Sequence, residues 1–535
     1  MKIAEMRAVV QTSERKTAPV TQRLAALLIG FFFSCGAAQA AAVATVPDAA
    51  TITANVEKAA GQALATETQV TSFTANGLQG SEVYRVSGDD WRETTRHGPF
   101  EYATGEVNGQ SWLQNENGET VLDGPAGGRP ATDQAAPDPT TVNVQRISSP
   151  HDAFVLSALN VRGNGTKGYV DPLTWHIVRR DFVAATETTT CLYDDFRSTA
   201  GSVQAWHWTC RDGQPVDDEE YRIVSDDPGP VDPKTLAIPP SRRNLVQFPA
   251  GKTSVMLPVK LADDNKFIVR VNVGGRGLDF ILDSGASGIA LDESVVRQLG
   301  LTRYAPESNA ENAGRYTSET AIVPQMRLGE LTMHDVVVQT APNLDEEVPG
   351  QYKTVGLLGF DFIGSMLLKL DYENQTVTGY SADSSFVPPV DAATSVLDVR
   401  LGDGTPKTNV TIAGALGDQF TVDTGGAEGV MLFDNFTRRH ADLLVHPIPT
   451  DLGFSGVGGD FDVQTYTLPD VLLGNIHFRD IDAFAVTTKT AYADDDDDGT
   501  IGPAFLSLFD VYLDYGNSKI DLIPSAHTRR LMSEK

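Results

Sequence analysis

Apolar and polar residues alternate along much of the chain, which is the period expected for strands that bury one face. Between about residues 82 and 224 clusters of turn residues break this alternation, and three of the strands that it predicts are 83–86, 174–178 and 203–208. After residue 250, Val, Ile, Leu and Thr alternate again, with Gly at intervals. The clearest helix is predicted at 292–299, with Gly300 as its stop signal. The pattern predicts a mainly β protein.

Proline marks two breaks in this pattern. Five prolines between residues 226 and 243 indicate a linker, and Pro388-Pro389 indicates a second break. A chain of 535 residues is too long for one hydrophobic core, so several domains are expected. The predicted domains are a leader at 1–40, a β-rich domain at 41–240, and two lobes at 250–385 and 392–526.

The two predicted lobes repeat one another. In each, an apolar strand leads into Asp, a hydroxyl residue and Gly, at 278–285 in the first lobe and at 420–425 in the second. Further landmarks follow in the same order, at offsets between 140 and 145 residues. The matching pairs are Asp283 and Asp423, Gly329 and Gly474, Gly359 and Gly502, and Tyr372 and Tyr515. This nearly constant offset indicates a duplicated β lobe.

Asp283 and Asp423 are candidate catalytic residues. Each directly follows a predicted strand, and active-site residues often lie at the ends of such elements. A single Asp-Ser-Gly is also an ordinary turn sequence. If the repeat folds as a pseudo-two-fold pair, the two acids meet at the axis and share one proton. One carboxylate then activates water while the other protonates a peptide carbonyl, with neither metal nor cofactor.

The motifs Asp283-Ser-Gly-Ala, Asp423-Thr-Gly and Leu357-Leu-Gly359 resemble those of the retropepsin-like aspartic proteases, in a tandem form whose two lobes are covalently joined. The resemblance covers about 250–526 and implies two acid-protease β-barrel lobes. It assigns the catalytic pair to Asp283 and Asp423. Supporting roles in the turn and across the axis fall on Ser284, Gly285, Thr424 and Gly425.

Two residues of the second lobe depart from this family pattern. Gly426 stands where Ala or Ser is usual, and Thr500 replaces an apolar residue. The resemblance also implies hairpin flaps over the substrate, with a plain β-hairpin as the alternative. The first flap is expected near Tyr316. The tip of the second is expected at Gly456, Val457, Gly458 and Gly459.

The residues before the lobes predict an exported protein. A basic start, an apolar run at 24–33 and Ala38-Gln-Ala40 predict an export signal, although Cys35 offers an alternative site for lipid attachment. Cys191 and Cys210 then remain as a predicted disulfide, with two buried free thiols as the alternative. Segments at 171–180 and 192–196 resemble the β-repeats of periplasmic lipoprotein-carrier-like domains.

The strongly negative net charge of the chain limits the classes of partner that it is expected to bind. The formal net charge of −29 argues against nucleic acid as a partner. The acidic run at 494–498 begins like a calcium loop, but Phe505 occupies the twelfth position where Glu is needed, so a solvated acidic loop is favoured and no metal site is predicted.

The sequence therefore favours an aspartic endopeptidase that acts on polypeptides, in the periplasm or as a secreted protein. It is expected to be a monomer whose lobes form an intramolecular pseudo-dimer, without a transmembrane segment once the leader is removed. The alternative is a catalytically weak or inactive peptide-binding protein of the cell envelope. A lipid-binding role for the N-terminal domain, with the lobes serving only in recruitment, is a third hypothesis.

Overall fold

A computed structural model describes residues 46–123, 140–184, 187–311, 314–344, 347–348, 352–401, 404–426, 428–449, 454–456, 459–487 and 497–533. The predicted leader, with Cys35, lies outside these ranges. Within them, none of the helices combines the length and the hydrophobicity that a transmembrane segment needs.

The first part of the chain is a helix followed by strands. Helix α1 begins after Asp48, whose side chain accepts a hydrogen bond from the backbone N–H of Thr51 at 2.8 Å and so caps the first turn. The elements up to residue 227 are α1 (Ala49–Ala60), β1 (Thr66–Ala75), β2 (Leu78–Ser87), β3 (Asp90–His97), β4 (Phe100–Val107), β5 (Gln110–Gln114), β6 (Thr120–Asp123), β7 (Thr141–Ile147), β8 (Ala153–Leu159), β9 (Gly165–Val170), β10 (Ile177–Val183), β11 (Thr188–Thr199), β12 (Ser202–Arg211) and β13 (Glu219–Asp227).

The chain divides into two compact units. The N-terminal unit holds the described residues of 46–100 and 136–237, and the lobe unit holds those of 101–135 and 238–533. In the N-terminal unit the strand order is β3-β2-β1-β13-β12-β11-β10-β9-β8-β7. Ile52 of α1 is fully buried in an apolar cluster with Phe154 and Leu156 of β8.

Two of the three predicted strands of this unit are present, at 83–86 within β2 and at 203–208 within β12. The third prediction, 174–178, is wrong at its start, because β10 begins at Ile177. The carboxylate of Asp171 accepts hydrogen bonds from the backbone N–H groups of Leu173 and Thr174, which holds this segment in a turn. Cys191 and Cys210 are paired residues of β11 and β12 and form a disulfide.

The lobe unit contains β4, β5 and β6, and two lobes that are almost entirely β. Lobe 1 runs from β14 to β25: β14 (Ser254–Met256), β15 (Val259–Leu261), β16 (Phe267–Val273), β17 (Arg276–Leu282), β18 (Ile289–Asp292), α2 (Glu293–Leu299), β19 (Arg303–Glu311), β20 (Gly314–Leu328), β21 (Leu331–Ala341), β22 (Glu347–Val348), β23 (Tyr352–Leu358), α3 (Phe360–Ile363), β24 (Leu367–Asp371) and β25 (Thr376–Tyr380). The predicted helix is α2, which Asp292 caps and which ends at left-handed Gly300.

Lobe 2 repeats the main elements of lobe 1 in the same order, without counterparts of the short strands β15 and β22 among the described residues. It consists of β26 (Ser395–Asp398), β27 (Lys407–Ile412), β28 (Ala415–Val422), β29 (Val430–Leu432), α4 (Asp434–Arg439), β30 (Phe454–Gly456), β31 (Gly459–Phe461), β32 (Val463–Leu473), β33 (Ile476–Val486), β34 (Gly499–Ile501), α5 (Pro503–Leu506), β35 (Phe509–Asp514) and β36 (Lys519–Pro524). Helix α6 (Ala526–Ser533) follows it.

Each lobe closes into a six-stranded barrel with the same topology. In lobe 1 the order is β16-β17-β23-β18-β21-β20, and pairing of β20 with β16 closes the ring. In lobe 2 the order is β27-β28-β34-β29-β33-β32, closed by pairing of β32 with β27. The equivalent pairs β17–β23 and β28–β34 are both parallel. The predicted fold class, mainly β with two acid-protease-like barrels after a β-rich region, is confirmed.

A six-stranded sheet joins the two lobes. Its order, β14-β25-β24-β35-β36-β26, reads the same from either end when equivalent strands are exchanged. Its central pair, β24 and β35, places Leu370 of lobe 1 opposite Val511 of lobe 2, and both side chains are fully buried. One continuous apolar core runs through both lobes and this sheet, so burial of apolar surface holds the lobes together as one body.

Candidate active site

The two Asp loops start from equivalent strand ends. Strands β17 and β28 end one residue before Asp283 and Asp423, respectively. The backbone N–H of Asp283 donates to the carbonyl of Leu358 at 3.0 Å, and that of Asp423 donates to the carbonyl of Ile501 at 2.9 Å. Each acid is therefore fixed by the neighbouring parallel strand of its own barrel.

A set of four hydrogen bonds, which we call the clasp, joins the loops of the two lobes. Ser284 Oγ donates to the carbonyl of Val422 at 2.7 Å and accepts from the backbone N–H of Thr424 at 2.9 Å. Reciprocally, Thr424 Oγ1 donates to the carbonyl of Leu282 at 2.8 Å and accepts from the backbone N–H of Ser284 at 3.0 Å. Both hydroxyl residues are almost completely buried, so the clasp fixes the two loops relative to one another.

Each turn glycine lies against the carboxylate of the opposite lobe. A methyl group at Gly285 would lie 2.7 Å from Cγ of Asp423, and one at Gly425 would lie 2.3 Å from Cγ of Asp283. No side chain fits at such distances, so only glycine lets the loops approach this closely. The structure thus brings Asp283 and Asp423 together across the pseudo-two-fold axis.

The two oxygens of Asp423 have different surroundings. Oδ1 accepts hydrogen bonds from the backbone N–H groups of Gly425 at 2.8 Å and Gly426 at 3.1 Å. Oδ2 is buried and accepts no hydrogen bond from a donor in the described ranges. Burial, and then the charge of Asp283, raises the pKa of Asp423 to about 7. The two carboxyl groups are therefore close enough for the charge of one to affect the proton affinity of the other.

The predicted flap residues lie on hairpins of both lobes. In lobe 1, β19 and β20 pair up to Glu311 and Gly314, and half-buried Tyr316 near this tip packs against the apolar cluster that contains Ala286 and Leu357. In lobe 2, β30 and β31 pair Gly456 with Gly459. The remaining two residues expected at that tip, Val457 and Gly458, lie outside the described ranges.

A comparison with known protein families matches the segment around the first Asp loop. A family model described as aspartyl protease matches residues 269–362, which run from β16 to α3 and include Asp283 and Leu357-Leu-Gly359. No curated protein matches the chain.

Several solved structures are similar to parts of this chain. A retropepsin-like aspartic protease from Rickettsia conorii is similar at 16% identity over 25% of this chain and 92% of its own, with a TM-score of 0.19. A LolA superfamily protein from Nitrosomonas europaea is similar at 11% identity over 36% of this chain and 98% of its own, with a TM-score of 0.27. A putative outer membrane lipoprotein-sorting protein domain from Vibrio parahaemolyticus is similar at 11% identity over 32% and 88%, with a TM-score of 0.23.

A buried acid that sequence reasoning missed supports the first Asp loop. Asp361, in α3, accepts hydrogen bonds from the side-chain amides of Asn115 and of Asn117, the latter at 2.8 Å. These amides belong to the turn between β5 and β6, and burial raises the pKa of Asp361 to about 7. The backbone N–H of Phe360, the residue before Asp361, donates to the carbonyl of Ala286 in the first Asp loop at 2.9 Å. No local pattern links residue 115 to residue 361, so only the folded chain reveals this contact.

The acidic run predicted to be solvated is, in its described part, buried. Asp497 forms an ion pair with Lys407, and Asp498 forms one with Arg439. Both carboxylates are at most 4% exposed, so the prediction of a solvated loop is wrong for these two residues. Their partners lie 59 and 90 positions away along the chain, which is why composition alone suggested solvent. In the described ranges no group of three or more His, Cys, Asp or Glu side chains is arranged to hold a metal ion.

Proposed function

We propose that this protein is an exported aspartic endopeptidase that hydrolyses peptide bonds with a water molecule activated by Asp283 and Asp423. The observation that carries the proposal is the clasp, together with two glycines that each face the opposite carboxylate. Such an arrangement fixes two acids at one point and has little use in a chain that only needs a stable β fold. The aspartyl protease family match over residues 269–362 supports the same chemistry.

The reaction follows from one shared proton. The ionised carboxylate of the pair takes a proton from water, whose oxygen then bonds to the peptide carbonyl carbon. The protonated carboxyl simultaneously gives its proton to the carbonyl oxygen, which produces a neutral tetrahedral diol. The carboxyl that took the proton from water then passes it to the peptide nitrogen, the carbon–nitrogen bond breaks, and the other carboxylate takes a hydroxyl proton from the diol as it collapses to a carboxylic acid. The pair ends with one proton, as it began.

An unfolded protein substrate tests this proposal directly. Asp423→Asn keeps the size of the side chain but removes the acid, so cleavage is expected to fall at least about 1,000-fold while the thermal transition stays within a few degrees of wild type. Asp470→Asn, at a half-buried acid of β32 that pairs with His477, serves as the control and is expected to cleave normally. Cleavage by Asp423→Asn at the wild-type rate would contradict the proposed role of the pair.

The rival function is a peptide-binding protein with little or no turnover, which Gly426 and Thr500 favour because both depart from the family pattern. Under this alternative, peptides bind to the wild-type protein but are cleaved at no pH between about 3 and 8, the range that a shared proton makes accessible. Measurable turnover that is lost in Asp423→Asn would exclude it.

Export is part of the same proposal. The basic and apolar leader and Ala38-Gln-Ala40 support removal of residues 1–40, and the disulfide between Cys191 and Cys210 fits an oxidising compartment. The mature protein is then expected in the periplasm or outside the cell, as a monomer whose two lobes complete one site. Its N-terminal sequence after expression with the full leader tests this, since a product that retains residue 1 would contradict export.

A further inference from the structure

The turn between β5 and β6 is seated on lobe 1 by a network of hydrogen bonds. The side-chain amide of Asn117, a residue that is 2% exposed, accepts from the backbone N–H of Val337 at 2.8 Å and donates to the carbonyl of Val337 at 2.9 Å, as a neighbouring strand would. Arg243 donates to the carbonyl of Asn117 at 2.9 Å and to the carbonyl of His334 in β21 at 2.8 Å. These bonds hold the turn firmly against β21.

The same turn reaches the acid behind the first Asp loop. The side-chain amides of Asn115 and Asn117 both donate to the buried carboxyl of Asp361, that of Asn117 at 2.8 Å. A methyl group at Gly288 would lie 3.2 Å from Asp361 Oδ2, so this carboxyl packs directly against the end of the loop. Asp361 therefore connects the β5–β6 turn with the loop that carries Asp283.

The two residues before Asp361 hold the backbone of the same loop. The N–H of Gly359 donates to the carbonyl of Gly288 at 3.0 Å. The N–H of Phe360 donates to the carbonyl of Ala286 at 2.9 Å. Both carbonyls belong to the short loop between β17 and β18, whose first residue is a candidate catalytic acid. A shift of α3 is therefore passed on to the position of that acid.

Lobe 2 shows that an acid-protease-like barrel closes without this arrangement. The offset that relates Gly359 to Gly502 places Ala504 at the position of Asp361. Lobe 2 has no acid at this position, yet its barrel closes with the equivalent strand order. A buried acid costs free energy unless hydrogen bonds satisfy it, and in lobe 1 the β5–β6 turn supplies two of them. The acid and the turn therefore serve a purpose other than closure of the barrel.

We propose that Asn115 and Asn117 are positioning residues, which act through Asp361 to hold the Asp283 loop in the geometry that peptide hydrolysis needs. The inference rests on the proposed endopeptidase function and adds to it a part of the chain that lies outside both lobes. A catalytic group that is displaced by about 1 Å loses much of its effect, so supporting hydrogen bonds change the rate without contacting substrate. Lobe 1 without the β5–β6 turn then lacks one support of its own catalytic loop.

The test uses the full mature protein and a fluorogenic peptide whose sequence is taken from a cleavage site in the unfolded protein substrate. Asn117→Ala removes one donor to Asp361 together with the bonds to β21, whereas Asn115→Ala removes the other donor and leaves the bonds to β21 in place. Each variant is expected to lower kcat about tenfold or more after correction for the folded fraction.

The pH profile separates a displaced loop from a partly unfolded protein. Burial and then the charge of Asp283 raise the pKa of Asp423, so a displaced Asp283 lowers that pKa. The basic limb of the kcat/KM profile is therefore expected to move to lower pH in Asn115→Ala and Asn117→Ala. A smaller folded fraction alone lowers the rate at every pH and leaves the limb where it is.

Gln114→Ala is the matched control in the same hairpin. The side-chain amide of Gln114 donates to Thr120 Oγ1 at 2.8 Å and to the carbonyl of Pro240 at 3.0 Å. This variant weakens the hairpin but removes no donor to Asp361, so it is expected to keep the kcat and the pH profile of wild type.

The contrary outcomes separate this inference from the proposed function. If Asn115→Ala and Asn117→Ala keep the kcat and the pH profile of wild type, or lose no more than Gln114→Ala, positioning through Asp361 is overturned while the endopeptidase stands. If the wild-type protein cleaves no substrate, the proposed function fails instead. Hydrogen exchange measured by mass spectrometry then decides the inference. Residues 283–289 are expected to exchange at least about tenfold faster in Asn115→Ala than in wild type, and an unchanged rate would overturn it.

Discussion

The clasp predicts a measurable loss of stability when one hydroxyl is removed without changing side-chain shape. Thr424→Val keeps the volume of Thr424, but it removes the donor to the carbonyl of Leu282 and leaves the buried N–H of Ser284 without its acceptor. A lost hydrogen bond costs about 1 kcal/mol and an unsatisfied buried donor about 1–3 kcal/mol. The free energy of unfolding is therefore expected to fall by about 2–4 kcal/mol.

Urea unfolding followed by tryptophan fluorescence measures this change, and cleavage of the unfolded protein substrate measures its functional consequence. Displacing a catalytic group by about 1 Å costs about 100-fold in kcat, so Thr424→Val is expected to lose activity by about that factor. Thr424→Ser, which keeps the hydroxyl, is expected to restore most of it. The matched control is Thr467→Val, which removes an exposed hydroxyl bonded to Asp482. If both valine variants unfold at the same urea concentration, the clasp does not hold the loops as described.

Three further predictions follow from particular contacts. Gly425→Ala places a methyl group 2.4 Å from Oδ1 of Asp283 and is expected to lower kcat about 100-fold, whereas Gly168→Ala, where the added methyl meets nothing within 4 Å, is expected to leave kcat unchanged. Burial raises the pKa of Asp361 to about 7 in the folded protein, whereas the unfolded chain releases this proton near pH 4, so the free energy of unfolding falls as pH rises from about 4 to 7. In Asp361→Asn this fall is expected to be smaller by about 4 kcal/mol, which urea unfolding at a series of pH values measures. The disulfide between β11 and β12 joins two cysteines that are 19 residues apart. Its reduction is expected to destabilise the N-terminal unit by about 3 kcal/mol, as measured by calorimetry, and to leave peptide cleavage unchanged.

The repeat in the sequence was sufficient to predict the architecture of the lobes. Because each strand before Asp283 and Asp423 has the same apolar alternation and the same turn residues, the two halves adopt the same barrel and meet about a pseudo-two-fold axis. Local signals were also sufficient for α2, since Asp292 and Gly300 supply both of its caps. Such features depend on residues that are neighbours in sequence, and pattern reasoning captures them.

Contacts between residues that are far apart in the sequence could not be predicted from local sequence patterns. The sequence around Asp498 gives no indication that Asp498 pairs with Arg439 in the interior. An acidic run with no visible partner predicts a solvated loop. Glu428 likewise sits in an unremarkable Gly-Ala-Glu-Gly stretch. In the fold, Thr500 donates a hydrogen bond to the buried carboxyl of Glu428 and Gly426 leaves room for it, and neither contact follows from a local pattern.

The measurement that tests the central claim most directly is a double-mutant cycle on the two acids. Initial rates of cleavage of one unfolded protein are compared for wild type, Asp283→Asn, Asp423→Asn and the double variant. Two carboxyl groups that share one proton act as a unit, so each single variant is expected to lose nearly all activity and the double variant to be no slower than either. Independent losses that multiply in the double variant, or a single variant that keeps wild-type activity, would contradict the account.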